Sequence, residues 1–142
     1  MNKNNFSYSF KTSKKPGEVF ELLLNIEQWW SGLFDETIKG ESRNVNDEFT
    51  FKAGEGAHYS KQKLIEVIPN KKVAWLVTDS NLSFLKDTSE WNGSKINFEI
   101  SSESDATTIA FTHEGLVPQL ECYDACSGAW TGYLDNLKKK LK

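Results

Sequence analysis

The fold is decided by residues 118–142, PQLECYDACSGAWTGYLDNLKKKLK. This segment keeps an unbroken helical period, with one side that is overwhelmingly apolar. The residues on that side are Leu120, Tyr123, Ser127, Trp130, Leu134, Leu137 and Leu141. The opposite side, which includes Ala125, Gly128 and Gly132, is small or charged and is expected to face solvent. The pattern predicts one long helix, from Pro118 to Lys142, lying on a broad apolar surface.

The composition predicts a substantial aromatic core. The chain has 142 residues, of which 38% are hydrophobic and 13% aromatic, with five Trp and nine Phe. A domain of this length buries about 70% of the surface that its unfolded chain exposes. The aromatic rings must therefore fill much of the core or line a cavity inside it.

The charge pattern argues against several classes of partner. The net charge is −3, and the lysines are spread out except near residue 140. This distribution of charge favours neither binding to nucleic acid nor binding to an anionic membrane surface. No run of about 18 apolar residues is present, and the first ten residues lack a signal-peptide pattern. We expect a cytoplasmic protein without membrane insertion, and the sequence does not predict an oligomeric state.

The rest of the chain predicts a strand, two short helices and then a meander of strands. Residues 6–11 alternate apolar and polar side chains, while Pro16–Leu24 and Ile26–Ser31 are expected to be helical. Residues 79–90 are expected to be irregular. The predicted strands after the helices are Leu33–Ile38, Glu48–Lys52, Tyr59–Ile68, Lys72–Thr78, Ile96–Ile100 and Thr107–His113.

This order of elements predicts an α+β helix-grip fold. A curved antiparallel sheet of about six to seven strands would wrap around the long C-terminal helix, with two short helices after the first strand. We expect residues 1–142 to form a single domain of this kind. A cavity between the helix and the sheet is a natural feature of such an arrangement.

Several short motifs, in this order and spacing, resemble the START-like (SRPBCC) helix-grip superfamily. Within it, the chain is similar to the family homologous to the C-terminal domain of the activator of heat-shock protein 90 ATPase. The motifs are Pro16 with Val19-Phe20, Trp29-Trp30, Trp91-Asn92-Gly93, Thr112-His113-Glu114-Gly115-Leu116, and Trp130 with Tyr133-Leu134.

The resemblance implies a fold whose members bind apolar ligands between helix and sheet. It also implies that a minority cyclise or dehydrate polyketides and that others are co-chaperones. The eukaryotic activators carry an additional N-terminal domain that does most of the chaperone engagement, whereas this chain begins directly with the helix-grip strand. We therefore treat chaperone contact as an alternative.

The candidate ligand-binding residues are mostly aromatic side chains of the elements expected around the cavity. They are Trp29, Trp30, Trp75, Trp91, Phe111, His113, Cys126, Trp130 and Tyr133. His113 shares a strand face with Ile109 and Phe111, so it could orient a ligand or act as a general base. The interpretation we favour is that His113 hydrogen-bonds the long helix or Glu114 and performs no chemistry.

The sequence pattern gives the remaining polar candidates no clear chemical role. Cys122 and Cys126 stand four residues apart, and we expect free, buried thiols rather than a disulfide or, with His113, a metal site. His58 is expected in a loop, exposed to solvent. The sequence predicts no metal, no cofactor and no confident catalytic residue.

Three functions remain open. The favoured hypothesis is binding of a small apolar or aromatic molecule in the helix-sheet cavity, as a carrier, sensor or sequestering protein. The first alternative is an enzyme of the polyketide cyclase or hydrolase kind that uses His113. The second alternative is a co-chaperone-like protein-binding domain.

Overall fold

The computed structural model describes residues 5–142 and contains one seven-stranded antiparallel sheet with three helices. The strands lie in the order β1-β7-β6-β5-β4-β3-β2. This confirms the predicted α+β helix-grip fold class. The elements are β1 (Phe6–Thr12), α1 (Pro16–Leu24), α2 (Ile26–Trp29), β2 (Thr37–Gly40), β3 (Glu48–Ala53), β4 (His58–Ile68), β5 (Lys72–Leu82), β6 (Lys95–Glu103), β7 (Ala106–Glu114) and α3 (Tyr123–Lys140).

The two short helices follow β1, as predicted. Pro16 occupies the first turn of α1, where the amide hydrogen that proline lacks would have no partner within the helix. Val19 and Leu23 are fully buried, and α1 packs against β5 and β6. The apolar face of this nine-residue helix is thus anchored by tertiary contacts, since a helix so short is marginal alone.

Helix α3 lies on the sheet through one apolar side. Its buried residues are Cys126, Trp130, Tyr133, Leu134 and Leu137. The Oγ1 of Thr12, in β1, donates a buried hydrogen bond of 2.5 Å to the carbonyl of Leu141, just beyond α3. The first strand and the last helix are therefore fastened directly to each other. Among the described residues, none of the helices has both the length and the hydropathy to span a bilayer.

The predicted start of the long helix was wrong. The helix begins at Tyr123 rather than Pro118, and residues 118–122 form turns. No side chain caps α3 locally. Instead, the carboxylate of Glu90 accepts hydrogen bonds from the backbone N–H groups of Glu121 and Cys122, at 3.1 and 3.0 Å. A distant carboxylate thus sits at the positive end of the helix dipole and takes the place of a local cap.

Two strand predictions also need correction. Strand β5 continues to Leu82, into the segment that was expected to be irregular, because Ser80 and Leu82 are buried against β4. Strand β2 runs over Thr37–Gly40 rather than Leu33–Ile38. Residues 32–36 instead form a tight loop around the carboxylate of Glu36, with Asp35 at a positive φ of 57°.

The two glycines of α3 have different surroundings, although both were expected to face solvent. Gly128 is exposed, and nothing lies within 4 Å of the position where a Cβ would stand. Gly132 is half-buried, and a Cβ there would lie 2.9 Å from the Cδ1 of Leu33. The glycine at 132 therefore allows the loop after α2 to approach the helix closely.

This difference predicts unequal effects of alanine at the two positions. Gly128→Ala should raise the free energy of unfolding by about 0.5–1 kcal/mol, since glycine is a poor residue inside a helix. Gly132→Ala should gain less, because the Leu33 side chain must move aside. Urea unfolding of the two variants measures both effects, and equal gains would show that the Leu33 contact imposes no constraint.

Candidate functional site

A cavity of about 220 Å³ lies between the first half of α3 and the end of the sheet formed by β3 and β4. Helix α3 contributes both small and large side chains. Ala125 and Ala129 are one turn apart and leave space, and Trp130 and Tyr133 border that space. The β3–β4 hairpin contributes Ala53, Gly54, Ala57 and His58, and other segments contribute Trp30, Phe34, Phe51, Phe84 and Trp91. None of these lining residues is a lysine, arginine, aspartate or glutamate.

Flat aromatic faces dominate the wall of this cavity. Trp30 stacks on Phe51 with ring centroids 4.5 Å apart, and it also packs against Trp130 at 4.9 Å. The Trp91 and Trp130 rings are parallel within 3°, with centroids 6.1 Å apart. A wall of this kind is chemically suited to a planar, apolar molecule.

Two exposed phenylalanines stand among the lining residues and form the rim of the cavity. Phe34 is 48% exposed and Phe84 is 49% exposed, which is unusual for such large apolar side chains. The neighbouring Leu33 is 44% exposed. We call Leu33, Phe34 and Phe84 the rim residues. Their exposure makes the entrance apolar as well as the interior.

The loop that carries Leu33 and Phe34 is fastened to α3 by Glu36. The Glu36 carboxylate accepts hydrogen bonds from the backbone N–H groups of residues 32–34 and a 2.5 Å bond from the hydroxyl of Tyr133. Burial raises the pKa of Glu36, but the hydrogen bonds from Tyr133 and the backbone outweigh it and lower the pKa below its usual value. The charged form of Glu36 therefore holds this side of the rim in place.

The loop that carries Phe84 is fastened to the same helix by two carboxylates. Besides the bonds from Glu90 to the start of α3, the carboxylate of Glu121 accepts a 3.0 Å hydrogen bond from the backbone N–H of Lys86. The first rim loop is thus held by the hydroxyl of Tyr133 in α3, and the second by the segment just before α3, in both cases through a carboxylate. The cavity is consequently formed before any ligand arrives.

His113 does not line the cavity but lies fully buried behind it. The indole N–H of Trp130 donates to its Nδ1 at 3.0 Å, so the ring proton is on Nε2 and is donated to the Oγ of Ser94 at 2.8 Å. Ser94 in turn donates to the carbonyl of Trp91 at 2.6 Å. Burial, with a smaller contribution from His58, lowers the pKa of His113 to about 3. Both ring nitrogens are occupied, which agrees with the interpretation that His113 binds the long helix.

His58 was expected to be exposed in a loop, and this prediction was wrong. It begins β4, and its imidazole packs edge-to-face against Phe51 and Trp91, with centroid distances of 5.5 and 4.6 Å. Its Nε2 is buried and has no hydrogen-bond partner. Burial lowers the pKa of His58 to about 4, so the ring is neutral near pH 7. The alternation of apolar and polar residues that predicts this strand begins one residue later, at Tyr59. It therefore did not place His58 in the strand.

The structure brings five of the nine predicted site residues to the cavity wall. These are Trp30, Trp91, Cys126, Trp130 and Tyr133. The other four, Trp29, Trp75, Phe111 and His113, pack behind the wall. The indole N–H of Trp29 is satisfied by the carbonyl of Leu23, and that of Trp75 by the Oγ of Ser42. Whether any of the nine binds a ligand stays a prediction.

Sequence reasoning missed the following residues of the wall: Phe34, Phe51, Phe84, His58 and the small residues Ala53, Gly54, Ala57, Ala125 and Ala129. Phe34 and Phe84 lie in loops, where periodicity says nothing about which side chains converge. Ala125 had been placed on the solvent side of the helix. It is exposed at the mouth, so its importance is the space that it leaves open rather than any contact that it makes.

The expectation of free thiols was also wrong, because Cys122 and Cys126 form a disulfide. The prediction assumed that both residues lie inside one helix. Cys122 instead sits at the N-cap position, and the two Cα atoms are 5.5 Å apart, within the range that a disulfide can bridge. In the described part of the chain, no group of three or more His, Cys, Asp and Glu residues could hold a metal ion.

The architecture of this site, a long helix gripped by a curved sheet with an apolar cavity between them, defines a START-like helix-grip protein. The family described as Activator of Hsp90 ATPase homolog 1-like protein matches residues 14–142. The chain therefore belongs to this family, as the resemblance in its motifs predicted.

Solved structures share the fold at low sequence identity. The solution structure of the Aha1 dimer from Colwellia psychrerythraea is 22% identical, with a TM-score of 0.75, covering 96% of this chain and 95% of that one. The AHSA1 protein from Silicibacter pomeroyi is 15% identical, with a TM-score of 0.72 and 96% coverage of both chains. CalU16 from Micromonospora echinospora is 15% identical, with a TM-score of 0.62, covering 96% of this chain and 74% of that one. No curated protein matches the chain.

The Glu36 contacts predict a pH-dependent contribution to stability. A carboxylate whose pKa is lowered by folding stabilises the protein above its unfolded value near 4.5, and this contribution is lost as the pH falls. Glu36→Gln should therefore reduce the free energy of unfolding by about 1 kcal/mol at pH 7.

Urea unfolding at several pH values measures this effect. The difference between the parent protein and Glu36→Gln should shrink below about pH 4.5. Tyr133→Phe, which removes only the hydroxyl bond, serves as the comparison and should cost less. A difference that stays constant down to pH 3 would contradict the assignment to Glu36 ionisation.

The two histidines predict a second pH effect. Their pKa values fall on folding from 6.5 to about 4 and about 3, so the unfolded chain binds more protons than the folded chain below pH 6.5. Stability should decrease as the pH falls from 6.5 towards 4, by up to about 1.4 kcal/mol per pH unit for each histidine. His58→Leu should remove about half of this slope, and an unchanged slope would contradict the burial of the neutral ring.

Proposed function

We propose that the protein binds a small, planar, apolar molecule in the cavity between α3 and the β3–β4 end of the sheet. The observation that carries this proposal is the aromatic wall around a cavity of about 220 Å³. An empty apolar cavity of about 150 Å³ inside a protein is large enough for benzene. The cavity here fits a molecule of one or two fused rings.

The apolar rim supports the same function. Phe34 and Phe84 line the cavity and expose apolar surface that would normally be buried, and the exposed Leu33 adjoins Phe34. A hydrophobic molecule that enters can remain shielded from water throughout its path. Because both rim loops are already fixed to α3, binding requires little ordering of the chain.

Binding without catalysis is the form of the proposal that we favour. The enzyme alternative depended on His113, whose two ring nitrogens are both engaged in hydrogen bonds and whose side chain lies behind the wall. A general base needs a free lone pair within reach of the reacting proton. The candidate role of His113 is therefore structural, in holding Trp130 against the sheet.

Protein binding is a second candidate function, and the exposed rim residues are the observation that favours it. Exposed apolar groups of this kind often mark contacts with other proteins. The family name suggests a chaperone of the heat-shock protein 90 class as the partner. The test is stimulation of that chaperone's ATPase by the protein, compared with a variant that carries Phe34→Ser and Phe84→Ser. Absence of stimulation by the parent protein would remove this candidate.

We retain a cytoplasmic location as a prediction from the sequence. The disulfide between Cys122 and Cys126 is more typical of oxidising compartments. Thiol counting on protein taken rapidly from cells therefore tests the location as well as the redox state of the pair.

The proposed function predicts binding of two-ring aromatic probes. 2-Methylnaphthalene should bind and quench or shift the tryptophan fluorescence, because Trp30, Trp91 and Trp130 line the cavity. At about 100 times Kd, the ligand should stabilise the protein by roughly 2.7 kcal/mol. Titration by fluorescence and calorimetry measures the affinity.

A matched pair of variants on α3 separates cavity binding from surface adsorption. Ala129→Phe places a ring inside the cavity and should abolish binding, whereas Thr131→Phe places the same ring on the exposed side of the helix and should not. An equal loss of affinity in the two variants, or no loss of affinity in either, would contradict binding in this cavity. Native mass spectrometry of the purified protein, before and after denaturation, tests for a ligand carried from the cell.

A further inference from the structure

Two buried polar atoms on the cavity wall lack hydrogen-bond partners. They are the Nε2 of His58 and the Nε1 of Trp91. The two rings touch each other edge-to-face, with centroids 4.6 Å apart. A buried polar atom without a partner is costly, so natural proteins rarely keep one unless a ligand or water completes it. Buried atoms of Gln62, Asn97 and Thr108 also lack partners, but these residues do not line the cavity, whereas His58 and Trp91 touch each other on its wall.

Other buried indoles of the same core show the contrast. The N–H groups of Trp29, Trp75 and Trp130 donate to a backbone carbonyl, a serine hydroxyl and a histidine nitrogen, respectively. The protein thus satisfies all three of these tryptophans, including Trp130, which lines the same cavity as Trp91. Trp91 differs because no protein group accepts its N–H, and its place on the cavity wall leaves that role to a bound molecule.

The charges around the cavity restrict what this partner can be. The lining residues include no acidic side chain and no lysine or arginine. His58 is neutral near pH 7, since burial lowers its pKa to about 4. An anionic or cationic ligand would therefore lose its hydration without gaining an opposite charge. The cavity favours a neutral molecule.

We propose that the ligand is a neutral planar aromatic compound with one hydroxyl group, of the phenol or naphthol class, held by Trp91 and His58. The oxygen of this hydroxyl accepts a hydrogen bond from the indole N–H of Trp91. Its hydrogen is donated to the Nε2 of His58, whose ring proton then lies on Nδ1. This inference rests on the proposed function, because it assigns the polar group of a ligand in the same cavity.

His58 can meet such a ligand with a small movement. Its ring is held by aromatic contacts with Phe51 and Trp91, and its Nε2 makes no hydrogen bond that a rotation would break. Rotation about the Cβ–Cγ bond is soft for an imidazole. The ligand hydroxyl therefore gains two partners while the protein loses none at Nε2.

The test compares 2-naphthol with 2-methylnaphthalene, which differ only in a hydroxyl in place of a methyl group. Calorimetric titration of the intact protein at pH 7 should show 2-naphthol binding at least about tenfold more tightly. In His58→Leu the ratio of the two affinities should fall to less than about threefold, whatever the absolute affinity of either probe becomes.

Each outcome is decisive. Equal affinities of the two probes for the parent protein would overturn the hydroxyl assignment while leaving the proposed function intact. No binding of either probe would overturn both. Tighter binding of 2-naphthoate than of 2-naphthol would overturn the neutral-ligand assignment. If His58→Leu does not fold, Trp91→Phe provides the same comparison, since it removes the N–H donor and keeps an aromatic ring.

Discussion

The structure depends on the way in which Trp130 joins α3 to the sheet. Its indole packs against Phe111 of β7 and Trp30 beyond α2, with centroid distances of 4.7 and 4.9 Å, and its N–H binds His113. One side chain thus supplies both apolar burial and the hydrogen bond that fixes the rotation of the helix. Apolar packing alone would allow α3 to slide or turn on the sheet, whereas a directional bond inside the core specifies one arrangement.

The cavity follows from where this packing ends. Towards the end of α3 near Lys140, leucines fill the space against the sheet, while towards its beginning the small side chains of Ala125 and Ala129 leave a gap. The sheet does not close this gap because the β3–β4 hairpin also has small residues there. The carboxylates of Glu36 and Glu90 then hold the bordering loops open at a fixed separation from the helix.

Much of the fold could be predicted from the sequence, because strands and helices leave periodic signals over several residues. The strand at Phe6, the paired short helices and the burial of Trp130, Leu134 and Leu137 on α3 were predicted correctly, but the predicted apolar side left out the buried Cys126 and Tyr133. The start of α3 was not, because its cap is Glu90, which is distant in the sequence. The cavity was only partly predictable for the same reason. Trp30 and Trp130 lie in periodic elements, but Phe34, His58 and Phe84 reach the wall through loop geometry that no local pattern encodes.

The hydrogen bond between Thr12 and Leu141 spans nearly the whole chain, and this has a consequence for synthesis on the ribosome. Strand β1 pairs with β7, so it stays without its partner until residues 106–114 have emerged. The aromatic face of the sheet then stays uncovered until α3 follows. Such non-local contacts form slowly and leave apolar surface exposed in the meantime. The nascent chain therefore exposes the aromatic face of its sheet until α3 has emerged.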